Sequence, residues 1–210
     1  MQSDSGSEKL LVQYQPLILA SASPRRRDLL QNLGLEFRIV QAAVQEEAAA
    51  RETPADFVCR LAGDKAKAVA DQYAETWVLA ADTIVVREDG AVLGKPGNTH
   101  EACSMLRSIA GRRHVVMTAY ALVNRRKEVF LTRLEQSGVW MLPLTIDMIS
   151  AYVATGEPMD KAGSYALQGI GGAFVTAVDG AHSTVIGLPL HRVLTDMLDL
   201  GIVGVNTSGC

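Results

Sequence analysis

Short apolar runs bounded by turn residues alternate along this chain with longer stretches in which apolar residues recur every three or four positions, so strands and helices are expected to interleave. Residues 16–20, PLILA, predict a short buried strand, and a helix follows at once. Ser23 stands at its N-cap, Pro24 at its first position, Leu29, Leu30 and Leu33 form its apolar stripe, and Gly34 ends it. Residues 35–44 predict a second strand, and Thr53 with Pro54 opens a helix whose Val58, Leu61, Ala62 and Val69 share one face. The run 77–86 is nearly continuous, as in a strand covered on both faces, and an Asp89-Gly90 turn leads to a return strand. Next come a helix near 99–109, strands at 114–123 and 128–142, and a helix capped by Thr145 and stopped by Gly156. A strand near 173–178, an Asp179-Gly180 turn and a helix over 188–201 complete the alternation. Residues 1–15 are expected to be a flexible extension and 201–210 a loose tail, leaving 16–200 as one α/β domain.

Composition narrows the classes. With 210 residues and 48% hydrophobic content the chain can bury a sizeable core. No apolar stretch approaches the roughly 20 residues needed to cross a bilayer, and the first fifteen are too polar for a secretory signal, so a cytoplasmic protein with no membrane partner is expected. Cys59, Cys103 and Cys210 are far apart and odd in number, which argues for reduced thiols and against a disulfide frame or a zinc site. A net charge of −3 argues against a nucleic-acid partner, so any anion must be met locally.

Several positions break the apolar pattern. Arg25, Arg26 and Arg27 crowd the start of a helix, where cations are disfavoured by several tenths of a kcal/mol. The cluster is either a solvated basic turn or the site of an anion that offsets the repulsion. Asp82 interrupts the run 77–86 and must be paired, near a strand end or beside a metal. Lys65 lies on the apolar face of its helix, where an unpaired lysine is rare. Glu46 and Glu47 read alone as a solvated acidic turn; joined to Asp82 they make an oxygen-rich Mg2+ or Mn2+ site. Lys95 and Lys161 could add charge against a polyphosphate. GIGG at 169–172 has neither dinucleotide-binding nor P-loop spacing, the histidines lack ligand spacing, and no G-x-S-x-G elbow occurs.

LASASPRRRDLL, LAADTIVV, GKP, GEPMDKAGSYALQGIGG and VIGLPL, in this order, closely resemble the Maf family of nucleotide pyrophosphatases, also called septum formation inhibitors. The resemblance runs from about residue 17 to 200. It implies an elongated fold of the Maf/Ham1 type, with a mixed, curved sheet flanked by helices and a cleft between two lobes. It also implies a homodimer that hydrolyses a nucleoside triphosphate to monophosphate and pyrophosphate with a divalent metal. By the same resemblance Asp82 is the general base and a metal ligand, and Glu46 is the second ligand. This chain reads VQEE where the family pattern is closer to Asp-Glu, which leaves Glu46 and Glu47 as alternatives. Ser21, Ser23, Arg26, Lys65, Lys95 and Lys161 fall to the phosphates.

Arg25, Thr83 and Gln168 match the branch similar to dTTP/UTP pyrophosphatases, whereas the branch that prefers 7-methyl-GTP carries glutamates at the last two places. A uracil or thymine edge offers one N–H between two carbonyls, and a glutamine amide complements it with a donor and an acceptor. Two rivals stand beside this reading: an inosine or xanthosine triphosphate pyrophosphatase of the same fold, and a binder that arrests septum formation without turnover.

Overall fold

The computed structural model describes residues 10–207. Nine strands occur among them: β1 (Leu11–Gln13), β2 (Leu17–Leu19), β3 (Arg38–Ile39), β4 (Trp77–Arg87), β5 (Val92–Leu93), β6 (Arg113–Asn124), β7 (Val129–Met141), β8 (Val175–Asp179) and β9 (Val203–Val205). Six helices accompany them: α1 (Pro24–Gln31), α2 (Pro54–Ala70), α3 (Thr99–Ile109), α4 (Ile146–Ala154), α5 (His182–Ile186) and α6 (Leu190–Asp199). The main sheet has seven strands in the order β3-β2-β4-β6-β7-β8, with β5 on the far half of β4. β2 runs parallel to β3 and β4, and every other pair in the sheet is antiparallel. This is the mixed α/β architecture expected.

Two of the three N-caps expected from sequence, Thr53 and Thr145, bond their helices through the side chain; Ser23 does not. Thr53 accepts from Asp56 N and Thr145 from Met148 N, each satisfying a first-turn donor that the helix cannot. Gly156 ends α4 in the left-handed region at φ 77°.

β4 organises the core. Its side chains alternate between the faces of the sheet. Val78 and Ala80 join one apolar cluster beneath α2, and Ile84 and Val86 a second. On the other face Trp77, Leu79 and Ala81 belong to the core under α6, while Val85 belongs to the core under α3 and α4. Asp82 and Thr83 sit between, at the one level where both faces of the strand lose their apolar filling. The apolar clusters on either side of this level are separate.

Three expectations are corrected. Residues 11–13 and 203–205 are not loose: β1 pairs antiparallel with β9, Leu11 opposite Val205, and Leu11 and Val203 are buried. A three-residue strand is too short to show alternation, and its partner lies almost the whole chain away. The remainder of the extension expected over 1–15 and of the tail expected over 201–210 includes residues 1–9 and 208–210, which lie outside the described residues. The strand expected over 35–44 contracts to Arg38–Ile39, both exposed; after Val40 N bonds Leu19 O the chain leaves the sheet, and 41–53 forms an irregular loop that carries Glu46. α5, not foreseen, is a short helix that buries Thr184 and ends at Gly187.

His114 gives the folded state a pH dependence. It is fully buried on β6; Nε2 bonds the Tyr165 hydroxyl at 2.8 Å and Nδ1 has no hydrogen-bond partner among the described residues. Burial, with the Arg113 charge adding to it, pushes the imidazole down to about 4. An unfolded histidine titrates near 6.5, so between these values the unfolded chain binds more protons and stability is lost as the pH falls. The contribution is complete above about pH 6.5, and about 3 kcal/mol of it is lost by pH 4. Urea unfolding of the native chain and of His114→Gln from pH 7.5 to 4.5 tests this: the native chain should lose stability more steeply, and identical slopes would refute it.

Candidate active site

A cleft of about 540 Å3 opens at the Asp82–Thr83 level, within the size range of sites that take small ligands. The β2–α1 turn, the loop through Glu46, α2, β4, the Lys95 loop and residues 160–168 all reach it. Five basic side chains line it, Arg25, Arg26, Lys65, Lys95 and Lys161, against three acidic ones, Glu46, Asp82 and Asp160. A chain that is acidic overall therefore presents a positive wall at one place, which suits an anionic ligand.

The anomalous lysine and the anomalous aspartate answer each other. Lys65 Nζ stands 2.6 Å from Asp82 Oδ1 and 2.6 Å from Glu46 Oε1. Lys65 and Asp82 keep only 12% and 13% of their side chains exposed, so each needs the other to be buried as an ion. Asp82 Oδ2 accepts no hydrogen bond among the described residues. Partial burial raises the Glu46 carboxyl, but the Lys65 hydrogen bond and the charges of Lys65, Lys95 and Arg26 outweigh it and hold it below its ordinary value. Of the two candidate glutamates, Glu46 is the one that lines the cleft; the main-chain carbonyl of Glu47 accepts from Arg60 Nη2.

Arg26 is held differently, by neutral acceptors only. Nε donates to Gly187 O at 2.8 Å, Nη1 to Ser21 Oγ at 3.2 Å and Nη2 to Thr83 Oγ1 at 3.0 Å. Two N–H groups remain of the five that a guanidinium carries. Burial lowers its pKa, opposed by the Asp82 charge, yet an arginine stays protonated. The direction of the next bonds follows from the hydrogens available. Thr118 Oγ1 gives its proton to Thr184 O at 2.7 Å, so at 3.0 Å it accepts from Thr83, which in turn accepts from Arg26. The Thr83 hydroxyl is thus spent inside the protein, behind Arg26. Gly187 has φ 123°, and a Cβ on it would stand 3.3 Å from Thr83 Oγ1, so the VIGLPL glycine lets the backbone carbonyl reach Arg26.

The remaining expected residues are placed as follows. Ser23 is the N-cap of α1 but makes no side-chain cap bond, which leaves the first-turn donors of Arg25 and Arg26 uncapped at the positive helix end. Arg25 Nη1 reaches Asp160 Oδ2 at 3.4 Å, a half-exposed pair across the cleft. Arg27 turns away to Asp28. Lys95 is exposed at the rim, and Lys161 Nζ is tied to Glu157 O at 2.6 Å and to Asp160. Gln168 is exposed on the wall opposite α1 and makes no hydrogen bond among the described residues. Sequence reasoning missed Thr118, Thr184 and Asp160. Thr118 carried one usable signal, a hydroxyl inside the apolar run of β6, in register with Thr83.

No group of three or more His, Cys, Asp and Glu that could hold a metal occurs among the described residues. Asp82 and Glu46 together are nonetheless a hard-oxygen pair, the donor set that Mg2+ or Mn2+ uses when phosphate oxygens and waters complete its shell.

Fold and site define an α/β protein with a positively charged cleft, two carboxylates and a lysine at its centre, suited to a phosphorylated ligand. The family model for Maf-like protein matches residues 16–199, and the chain belongs to that family. A Desulfotalea psychrophila protein named dTTP/UTP pyrophosphatase is 43% identical over 191 residues, 91% of this chain and 97% of the relative. One of the same name from Pelotomaculum thermopropionicum is 47% identical over 182 residues, 87% of this chain and 94% of the relative. Among solved structures, the Staphylococcus aureus Ham1 protein aligns with a TM-score of 0.44 at 11% identity, over 61% of this chain and 73% of that one. No helix of the described residues is long and apolar enough to cross a membrane.

Proposed function

We propose that the chain hydrolyses dTTP and UTP to the nucleoside monophosphate and pyrophosphate. The observation that carries this reading is the pairing, in one cleft, of a carboxylate with a free oxygen, Asp82, and a guanidinium with free donors, Arg26. The relatives' names supply the substrate class. Water attacks the α-phosphorus in line and gives its proton to Asp82 Oδ2; the bond from the α-phosphorus to the bridging oxygen breaks, and pyrophosphate carries away the electron pair. Lys65 holds the Asp82 carboxylate in place from Oδ1. Arg26, the α1 N-terminus, Ser21, Ser23, Lys95 and Lys161 take the phosphates, and Gln168 reads the pyrimidine edge, with Arg25 beside it. Thr83 bears on substrate choice through Arg26, to which its hydroxyl is committed.

Glu46 and Asp82 would hold Mg2+ or Mn2+, which when bound neutralises charge on the phosphates. A homodimer and a cytoplasmic setting belong to the same reading, supported by the exposed apolar side chains Trp140, Leu142, Ile146 and Met148 and by the free thiols Cys59 and Cys103.

Pyrophosphate release from dTTP, UTP, CTP, GTP, ITP and 7-methyl-GTP, with Mg2+ or Mn2+, tests the proposal. Turnover should concentrate on dTTP and UTP. Preference for ITP would move the chain to the inosine triphosphate class, and binding without release would make it a nucleotide binder.

A further inference from the structure

Gln168 makes no hydrogen bond of its own, yet the segment around it is pinned from behind. The Glu157 carboxylate accepts from Ile170 N at Oε2 and from Gly171 N at Oε1, both at 3.0 Å, and Oε1 also takes the Tyr152 hydroxyl proton at 2.8 Å. Tyr152 Oη accepts in turn from Ala166 N at 3.3 Å. Gln168 therefore stands on an arch whose feet, Ala166 on one side and Ile170–Gly171 on the other, rest on one hydrogen-bonded pair of side chains. The glycines fit this purpose. Gly169 has φ 139° and a Cβ on it would fall 2.6 Å from Glu157 Oε2, while one on Gly171 would collide with Tyr152 Oη. Burial pushes the Glu157 carboxyl up, but the Gly171 and Ile170 donors and the Tyr152 hydroxyl outweigh it, so it accepts as a carboxylate at neutral pH.

We propose that Glu157, supported by Tyr152, is a positioning residue that fixes the 166–171 arch so that the Gln168 amide meets the base of the nucleotide. The inference rests on the reading of Gln168 as the residue that recognises the base. A side chain of that length on an untethered glycine-rich loop would have to be ordered by each substrate; the tether does this in advance. Arg26, Ser21, Ser23, the α1 N-terminus and Lys95 lie on other elements; Lys161 is tied to the Glu157 main-chain oxygen, which a change of the Glu157 side chain leaves in place. The effect of the tether should therefore fall on binding of the base and not on binding of pyrophosphate.

The experiment compares Glu157→Gln, Gln168→Ala, the double variant and Tyr152→Phe, measuring KM and kcat for UTP, inhibition by pyrophosphate and the thermal midpoint. A glutamine keeps the shape but offers one acceptor oxygen where three donors converge, so Glu157→Gln should raise KM about tenfold. kcat should fall much less than KM rises, and the inhibition constant of pyrophosphate should stay within about twofold, as for loss of binding shared by ground and transition states. With Gln168 already alanine, the Glu157 change should add less than about twofold, since residues acting as one unit are not additive. Tyr152→Phe keeps the question answerable if Glu157→Gln does not fold, and should raise KM in the same way. A folded Glu157→Gln with unchanged KM, or one that raises KM equally with and without Gln168 or weakens pyrophosphate in step, overturns the inference. An unchanged KM in Gln168→Ala overturns the reading of Gln168 beneath it and the inference too.

Discussion

Asp82→Asn is expected to leave a folded protein whose pyrophosphate release from UTP is lower by about a thousandfold, the range lost with a general base. Asparagine has the shape of the aspartate and can still offer an oxygen to Lys65 Nζ, so the contact between α2 and β4 persists. What disappears is the group that takes a proton from water. Breaking a buried ion pair by removing one partner commonly costs about 3–5 kcal/mol, but here the Lys65 ammonium keeps Glu46 at 2.6 Å, so about 1–2 kcal/mol is expected. Turnover at saturating UTP, circular dichroism and the thermal midpoint settle the matter together. A folded variant with native turnover removes the base assignment, and an unfolded one shows that Asp82 serves the core instead. Glu46→Gln makes the contrast: its side chain is 51% exposed, so its loss should weaken turnover with little change in stability.

The same region shows how far the sequence could be read. The run 77–86 declared itself because ten residues of nearly unbroken apolar character have few other homes, and the structure extends it only to Arg87. Lys65 and Asp82 were legible as anomalies, each an ion on an apolar surface, and such an ion demands a partner; their pairing needed the structure, because seventeen positions separate them. Glu46 could not be told from Glu47 while the loop had no known path, and one residue in an irregular loop changes the direction of a side chain completely. Strands β1 and β9 were illegible for another reason: each contributes three residues, and only the closed chain brings Leu11 against Val205. The assignment of Thr83 as a specificity residue came from resemblance alone. The structure adds that its hydroxyl faces Arg26 and Thr118, on the opposite side of β4 from Asp82.

Arg26→Lys should cost about a hundredfold in kcat/KM for UTP although the charge is kept. A lysine offers one ammonium where the guanidinium uses three separate nitrogens to bind Ser21, Thr83 and Gly187 in one plane, and the exchange is not conservative at such a site. Those three partners belong to the β2–α1 turn, β4 and the turn after α5, so Arg26 joins three elements of the cleft while keeping two donors. None of its contacts is a carboxylate, and its charge therefore remains available to a phosphate. Removing an interaction realised mainly as charge develops on the leaving group lowers kcat, so kcat should fall at least as much as KM rises. Thr83→Val is the control. It deletes the acceptor behind Nη2 but leaves Thr118 bonded to Thr184 O, so about a tenfold loss is expected, with the sign and kinetic pattern of Arg26→Lys. If Arg26→Lys turns over UTP within about twofold of the native chain, the clasp is a structural tie and the phosphates are met by the α1 terminus and the lysines instead. If Thr83→Val changes the preference among bases without weakening pyrophosphate, the hydroxyl reads the nucleotide directly and not through Arg26.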